Sequence, residues 1–226
     1  MIFKTKGIVL NFVKFRESSI IVKIYTEKFG LKTYIVNGVR SSKSKANKIA
    51  YYQPLSLLDL VIYNRENRDI NRISEVKIEV PYQYIPFDHK KNLMAIFITE
   101  VLTKAVKEEE SNILLFNFLR SSFIYFDKVQ NKFENFHIQF LIKLTNYLGF
   151  APDKPADFGN YPGASDIREE SFFKILESLF FADYDQFIQT SGSFRTAILE
   201  YITKFYQFHI EGFGEIKSLH IIKELH

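Results

Sequence analysis

The stretch IVLNFVKFRESSIIVKIYTEKFGLKTYIVN, residues 8–37, decides the fold class. Its apolar residues recur with period two. From Ile8 to Val13, Ile8, Leu10 and Phe12 fall on one face, and Val9, Asn11 and Val13 on the other. Ile20, Val22 and Ile24 then alternate with Ile21, Lys23 and Tyr25, and Leu31, Thr33 and Ile35 with Lys32, Tyr34 and Val36. β-Branched and aromatic residues at that period, with short polar breaks, predict three consecutive strands. Glu27-Lys28-Phe29-Gly30 fits a hairpin turn between the second and third, with the glycine taking a positive φ.

Outward from this stretch, Leu55 to Tyr63 reads as a more continuous apolar strand. Val76, Ile78 and Val80 alternate with Glu75, Lys77 and Glu79 in a fifth. Five short strands suit a small closed barrel, which removes exposed edges. After Pro81 and Pro86 the period becomes helical. Leu93, Phe97, Val101 and Ala105 recur at spacing four and predict a helix over 88–107. Ser111 is the expected N-cap of a second helix reaching Phe126. A third runs from Phe133 to Leu148 and stops at Gly149 and Pro152. Residues 151–167, rich in Pro, Gly and Asp, read as a loop. A fourth helix holds Phe172, Phe173, Leu176, Leu179 and Phe180. A fifth runs from Ser193 to Glu211, and a short last one holds Leu219, Ile222 and Leu225. The expected architecture is β + α in two domains: a five-stranded barrel over 1–80 and an all-α helical domain over 81–226.

Charge changes where the period changes. The chain has 226 residues and a formal charge of +4. Residues 1–80 hold 15 basic and 7 acidic residues, and the rest 15 and 19. A basic half beside an acidic half points to a polyanionic partner for the first half. The loop Asn37 to Lys48 is the sharpest feature: Arg40, Lys43, Lys45 and Lys48 with serines and no acid. The candidate phosphate-contacting set is Lys6, Lys14, Arg16, Lys23, Lys28, Lys32, Arg40, Lys43, Lys45 and Lys48. Lysines outnumber arginines 22 to 8. A lysine is a point charge, while arginine supplies the fork used to read bases, so sequence-independent and salt-sensitive binding is expected. A barrel that binds an acidic protein, as a non-enzymatic adaptor, is the alternative. Anionic membrane is disfavoured, since no strongly basic amphipathic helix is visible.

Catalytic constellations are missing. Cysteine is absent, which excludes disulfides, thiolate metal sites and a cysteine nucleophile. There is no Walker loop, no dinucleotide glycine pattern and no HExxH. His209-Ile210-Glu211, Glu108-Glu109-Glu110 and the pair Asp183 and Asp185 read as solvated surface rather than metal ligands. Ser193 reads as a helix cap rather than a nucleophile. No enzyme and no cofactor is the expectation. The N-terminus does not read as a signal peptide, and no transmembrane helix is expected. Phenylalanines at helical spacing read as core. Phe12, Tyr25 and Tyr34 could stack on unpaired bases, though barrel core is the better reading of each.

Several short motifs stand in a telling order. Thr5-Lys6-Gly7-Ile8-Val9-Leu10 is followed by Arg16-Glu17-Ser18-Ser19, Tyr25-Thr26-Glu27-Lys28-Phe29-Gly30, Asn37-Gly38-Val39-Arg40 and Gln53-Pro54. Ile98-Thr99-Glu100-Val101-Leu102, Leu148-Gly149-Phe150-Ala151-Pro152 and Lys217-Ser218-Leu219 come after them. Together they resemble the RecO family of bacterial recombination-mediator and DNA-repair proteins, with Asn37 standing where that family has Lys. The resemblance implies an oligonucleotide-binding (OB) barrel followed by a helical domain. It implies binding to single- and double-stranded DNA, annealing of complementary strands, and help in loading RecA recombinase on coated DNA. The partners it implies are RecR and the C-terminal tail of the single-strand-binding protein. The helix that would receive this tail carries Phe136, Phe140, Lys143 and Leu144. A cytoplasmic, nucleoid-associated place follows. Many members insert a four-cysteine zinc module after the Leu-Gly-aromatic-x-Pro segment. This sequence has no cysteine, so no zinc module is expected and 151–167 should be a plain loop.

Overall fold

The computed structural model describes residues 1–40, 48–64, 68–161 and 170–225. Their contacts divide into two compact units. One is Met1–Phe87 with Val106–Asp127, and the other is Asp88–Ala105 with Lys128–His226.

The first unit is built on five strands: β1 (Ile2–Phe15), β2 (Ser19–Thr26), β3 (Gly30–Val36), β4 (Leu57–Tyr63) and β5 (Ile70–Val80). They close in the order β1-β2-β3-β5-β4, with β4 returning to β1. All pairs are antiparallel except β3 with β5, which run parallel through Thr33–Ile70, Tyr34–Asn71 and Ile35–Arg72. A five-stranded barrel of this order is the OB architecture expected. β1 is longer than its period indicated, because it pairs first with β4 and then with β2. Its alternation also differs from the expected one. The register shifts between Val9 and Asn11, a bulge at Leu10 that reverses the phase. Val9 and Phe12 therefore both face the barrel core, with Val22, Ile24, Tyr34, Leu58, Leu60 and Ile62. A 3-10 helix (Lys48–Tyr52) precedes β4, and its Tyr52 is fully buried in the same core.

Helix α2 (Ile113–Lys128) belongs to this unit up to Asp127. Its cap is Asn112, not Ser111: the Leu115 N–H donates to Asn112 Oδ1 at 3.0 Å. The Ser111 hydroxyl instead donates to the Glu27 carbonyl at 2.7 Å. Phe116 stacks on Tyr25, with centroids 6.3 Å apart. The buried Asp127 carboxylate accepts from the N–H groups of Gln83, Tyr84 and Ile85, each at 2.9 Å. The segment leading into α2 crosses the β2–β3 turn, where the Leu31 N–H donates to the Glu108 carbonyl at 2.9 Å. Gly30 has φ +59° as its turn position predicts, and a Cβ there would lie 2.3 Å from the Glu110 carbonyl oxygen.

The second unit contains α1 (His89–Ala105), α3 (Phe136–Leu148), α4 (Glu170–Phe181), α5 (Gly192–His209) and α6 (Leu219–Glu224). Phe97, Phe136, Phe140, Phe172 and Phe205 are buried, as phenylalanines at helical spacing should be, and Phe158 is buried from within the expected loop. Gly149 ends α3 in the left-handed conformation, its N–H donating to the Thr145 carbonyl. The cap of α5 is Ser191, whose hydroxyl accepts from the Phe194 N–H at 3.3 Å; Ser193 only bonds to Ser191. Within the expected loop, Pro155–Gly159 forms a 3-10 turn, with Pro155 at its first position.

Candidate nucleic-acid interface

The strand register sorts the candidate cations. Residues facing out of the barrel form a continuous row across four strand pairings: Val13, Ile21, Ile35, Arg72 and Tyr63. The neighbouring row is Asn11, Lys23, Thr33 and Ile70. Lys23 is exposed in the middle of it. Lys14 is exposed near the end of β1, and Arg16 is exposed in the β1–β2 turn with φ +51° and its guanidinium 5.1 Å from the Phe15 ring. Lys14, Lys23 and Lys48 are exposed and have no acidic partner among the described residues. This face mixes cations with exposed apolar atoms, the surface that suits phosphates and unpaired bases.

Three of the ten candidates are engaged otherwise. Lys6 pairs with Glu79, which also accepts from Arg120 Nε at 2.9 Å. Burial pushes the Glu79 carboxyl up, but the hydrogen bonds from Arg120 and Lys6 prevail and hold it below its ordinary value. Lys32 meets Glu109 at 2.7 Å. The Arg40 guanidinium donates to the carbonyls of Arg16 (3.1 Å) and Ser19 (3.4 Å), and the Arg40 N–H to that of Ser18. Arg40 thus holds the chain after β3 against the β1–β2 turn. Lys28 is exposed, but at a hollow of about 400 Å³ that also holds Lys4, Lys6 and Lys77 against Glu27, Asp59 and Glu75. Charge there is nearly balanced. Lys43 and Lys45 lie outside the described residues.

Two arginines outside the candidate set, Arg68 and Arg72, are also exposed on this unit. Arg72 stands beside Ile35 through the parallel pairing and beside Tyr63 through β4. Arg68 joins it at a cleft of about 470 Å³ lined by Tyr63, Ile70 and Asn71. A parallel pairing across more than thirty residues leaves no local signal. None of the strand aromatics singled out is free to stack: Tyr34 is fully buried in the barrel core, Phe12 packs on that core, and Tyr25 is fully buried outside the barrel beneath Phe116 of α2. Burial first, then the charge of Glu108, pushes the Tyr25 hydroxyl up to about 12.

In the second unit, Phe136, Phe140 and Leu144 are buried on α3. Lys143 alone of that candidate group reaches the surface, 3.2 Å from Asp183 and 5.6 Å from the Tyr184 ring. Two motifs that carried the resemblance touch each other. Glu100 accepts from the N–H groups of Lys217 and Ser218, each at 2.8 Å, and from the Ser218 hydroxyl at 2.6 Å. That one carboxylate pins the start of α6 to α1.

Comparison with known proteins fits this architecture. The family model described as Recombination protein O N terminal matches residues 1–82, and Recombination protein O C terminal matches 86–157. The DNA repair protein RecO of Flavobacterium psychrophilum is 34% identical, over all of this chain and 99% of that protein. Those of Christiangramia forsetii and Bacteroides fragilis are 34% and 31% identical over the same shares. The chain belongs to the RecO family. It is a RecO-family DNA-repair protein, and recombination follows from that membership. The zinc module found in many RecO proteins does not fit the residues present. The chain has no cysteine, and no group of three His, Asp or Glu able to hold a metal occurs among the described residues. Among those residues, no helix is long and apolar enough to cross a membrane.

Proposed function

We propose that this protein binds single- and double-stranded DNA without sequence specificity, anneals complementary strands, and helps load RecA on DNA coated with single-strand-binding protein. The observation that carries the reading is the outer face of β2, β3 and β5, where Lys23 and Arg72 stand exposed among apolar residues, with Lys14 and Arg16 exposed at the β1–β2 end of the barrel. Cations there neutralise phosphates and release counterions, which lowers repulsion between two strands. Contacts to the backbone leave base edges free to pair. Lys43, Lys45 and Lys48 extend the set toward the loop after β3. The domain plan is a DNA-binding barrel over 1–80 and a partner-binding helical region over 81–226. RecR and the single-strand-binding protein's tail dock on the latter, with Lys143 as the cation offered to the acidic tail. No covalent step is needed, and the protein acts in the cytoplasm at the nucleoid.

Fluorescence anisotropy of a labelled single strand at several salt concentrations tests this. The wild type binds with steep salt dependence. Charge reversal at Lys14 and Lys23, or at Lys43, Lys45 and Lys48, weakens binding to all sequences alike. A wild type that ignores DNA even at low salt refutes the reading and leaves an adaptor for an acidic protein.

A further inference from the structure

The geometry points to a subsite for one unpaired nucleotide in the cleft of Tyr63, Arg68 and Arg72, which gives the barrel a preference for single strands; this rests on the DNA-binding reading above. Tyr63 closes β4 and Arg72 opens the pairing of β5 with it, so the two are direct cross-strand partners. Their side chains stand side by side on the outer face. Tyr63 keeps 41% of its surface exposed and Ile70 43%, an apolar floor beside two guanidinium groups. Neither arginine has an ion-pair partner among the described residues, and no described acid lines the cleft. Its volume of about 470 Å³ admits a base with its sugar and phosphate.

The chemistry selects the ligand. A tyrosine face takes any base by stacking, and a guanidinium fork takes a phosphate in two hydrogen bonds. A duplex offers the phosphate but not the base, since its bases are already stacked on each other. The cleft therefore adds affinity for a single strand alone. Its place supports the assignment: Arg72 adjoins Ile35, and Ile70 adjoins Thr33, next in the row to Lys23. A strand lying along the outer row reaches the cleft without leaving the sheet. Buried Tyr25 and Tyr34 cannot serve as the platform, whereas Tyr63 is an exposed strand aromatic that lines the cleft with both arginines.

The test uses the full-length chain with three labelled probes of equal length: a single strand, the same strand with abasic positions, and a duplex. Tyr63→Ser weakens the intact single strand about tenfold, the lower part of the stacking range. It leaves the duplex and the abasic strand within about twofold, while Tyr63→Phe restores the single strand. Arg68→Gln with Arg72→Gln lowers the salt slope on the single strand by about one to two. Excess free mononucleotide that competes fully would place the ligand as a small molecule and overturn the assignment. Equal losses on single strand and duplex, or no loss on the single strand, overturn it also. A wild type that binds none of the probes sinks the DNA-binding reading itself, a different result from a wild type that binds strands indifferently to Tyr63.

Discussion

Lys23 and Lys32 are lysines of adjacent strands, one residue apart in register, yet only one should contribute to DNA binding. Lys23 projects from β2 with no acidic partner among the described residues. Lys32 is 20% exposed at its side chain and sits 2.7 Å from Glu109. If unpaired surface cations hold the phosphates, Lys23→Gln removes one counterion-release event. The slope of log affinity against log salt on a single strand then falls in magnitude by about 0.7. Between about 50 and 200 mM salt that alters the loss of affinity by roughly 2.5-fold. Lys32→Gln removes a charge that Glu109 already meets, and the slope stays within about 0.2 of the wild type. The ion pair is largely exposed on its Glu109 side, so stability changes by no more than about 1 kcal/mol. Anisotropy titrations at five or so salt concentrations, beside thermal melts of each variant, supply both numbers. Equal slope changes for the two variants would show that sheet geometry does not sort the cations, and an unchanged slope for Lys23→Gln would remove the outer row from the interface.

Gly30→Ala should cost more than about 2 kcal/mol, combining left-handed backbone with a Cβ 2.3 Å from the Glu110 carbonyl oxygen. Gly149→Ala, also left-handed but facing open space, should cost about 1 kcal/mol; denaturant midpoints for the pair check the difference. Arg120→Leu leaves the buried Glu79 carboxylate with Lys6 alone and should destabilise by about 1–3 kcal/mol, measured by urea unfolding. Glu100 gives a pH signature. Burial pushes its carboxyl up, but the Ser218 hydroxyl and the Ser218 and Lys217 N–H groups, with the Lys104 charge, outweigh that and hold it below its ordinary value. A depressed carboxylate stabilises the fold above its unfolded pKa of about 4.3, and that contribution fades as pH falls through the folded value. Glu100→Gln should therefore lower the melting temperature near neutrality and flatten its acid dependence; an unchanged acid profile would remove Glu100 from that role.

Four strands were legible from period two and the fourth in chain order from its continuous apolar run, and the helices because apolar residues recur at three and four. The bulge at Leu10 was not. It inserts one residue, and Ile8, Val9 and Leu10 are all apolar and all buried, so the phase reversal leaves no polar residue out of place. Caps were misplaced by one or two residues at Ser111 and Ser193, where several small polar residues compete for one role. At the interface, the net positive barrel was readable from composition. Which cations stay unpaired was not, because Glu79 and Glu109 approach Lys6 and Lys32 from more than seventy residues away. Arg72 carries no local signal for a similar reason, since only the parallel register brings it beside Ile35. The contact of Glu100 with Lys217 and Ser218 joins two motifs that had looked independent.

The hold of Asp127 on the backbone of Gln83, Tyr84 and Ile85 has a consequence for biosynthesis. The last strand of the barrel ends at Val80, but its outer wall, with Phe116 on Tyr25, arrives only with α2. On a translating ribosome the strands emerge first and wait roughly two to ten seconds, at about 5–20 residues per second, before Asp127 has been made. During that interval the Tyr25 face is bare. Nascent barrels are therefore the stage at which a holding chaperone would act, and slow codons are tolerated better after Asp127 than between Val80 and Asp127.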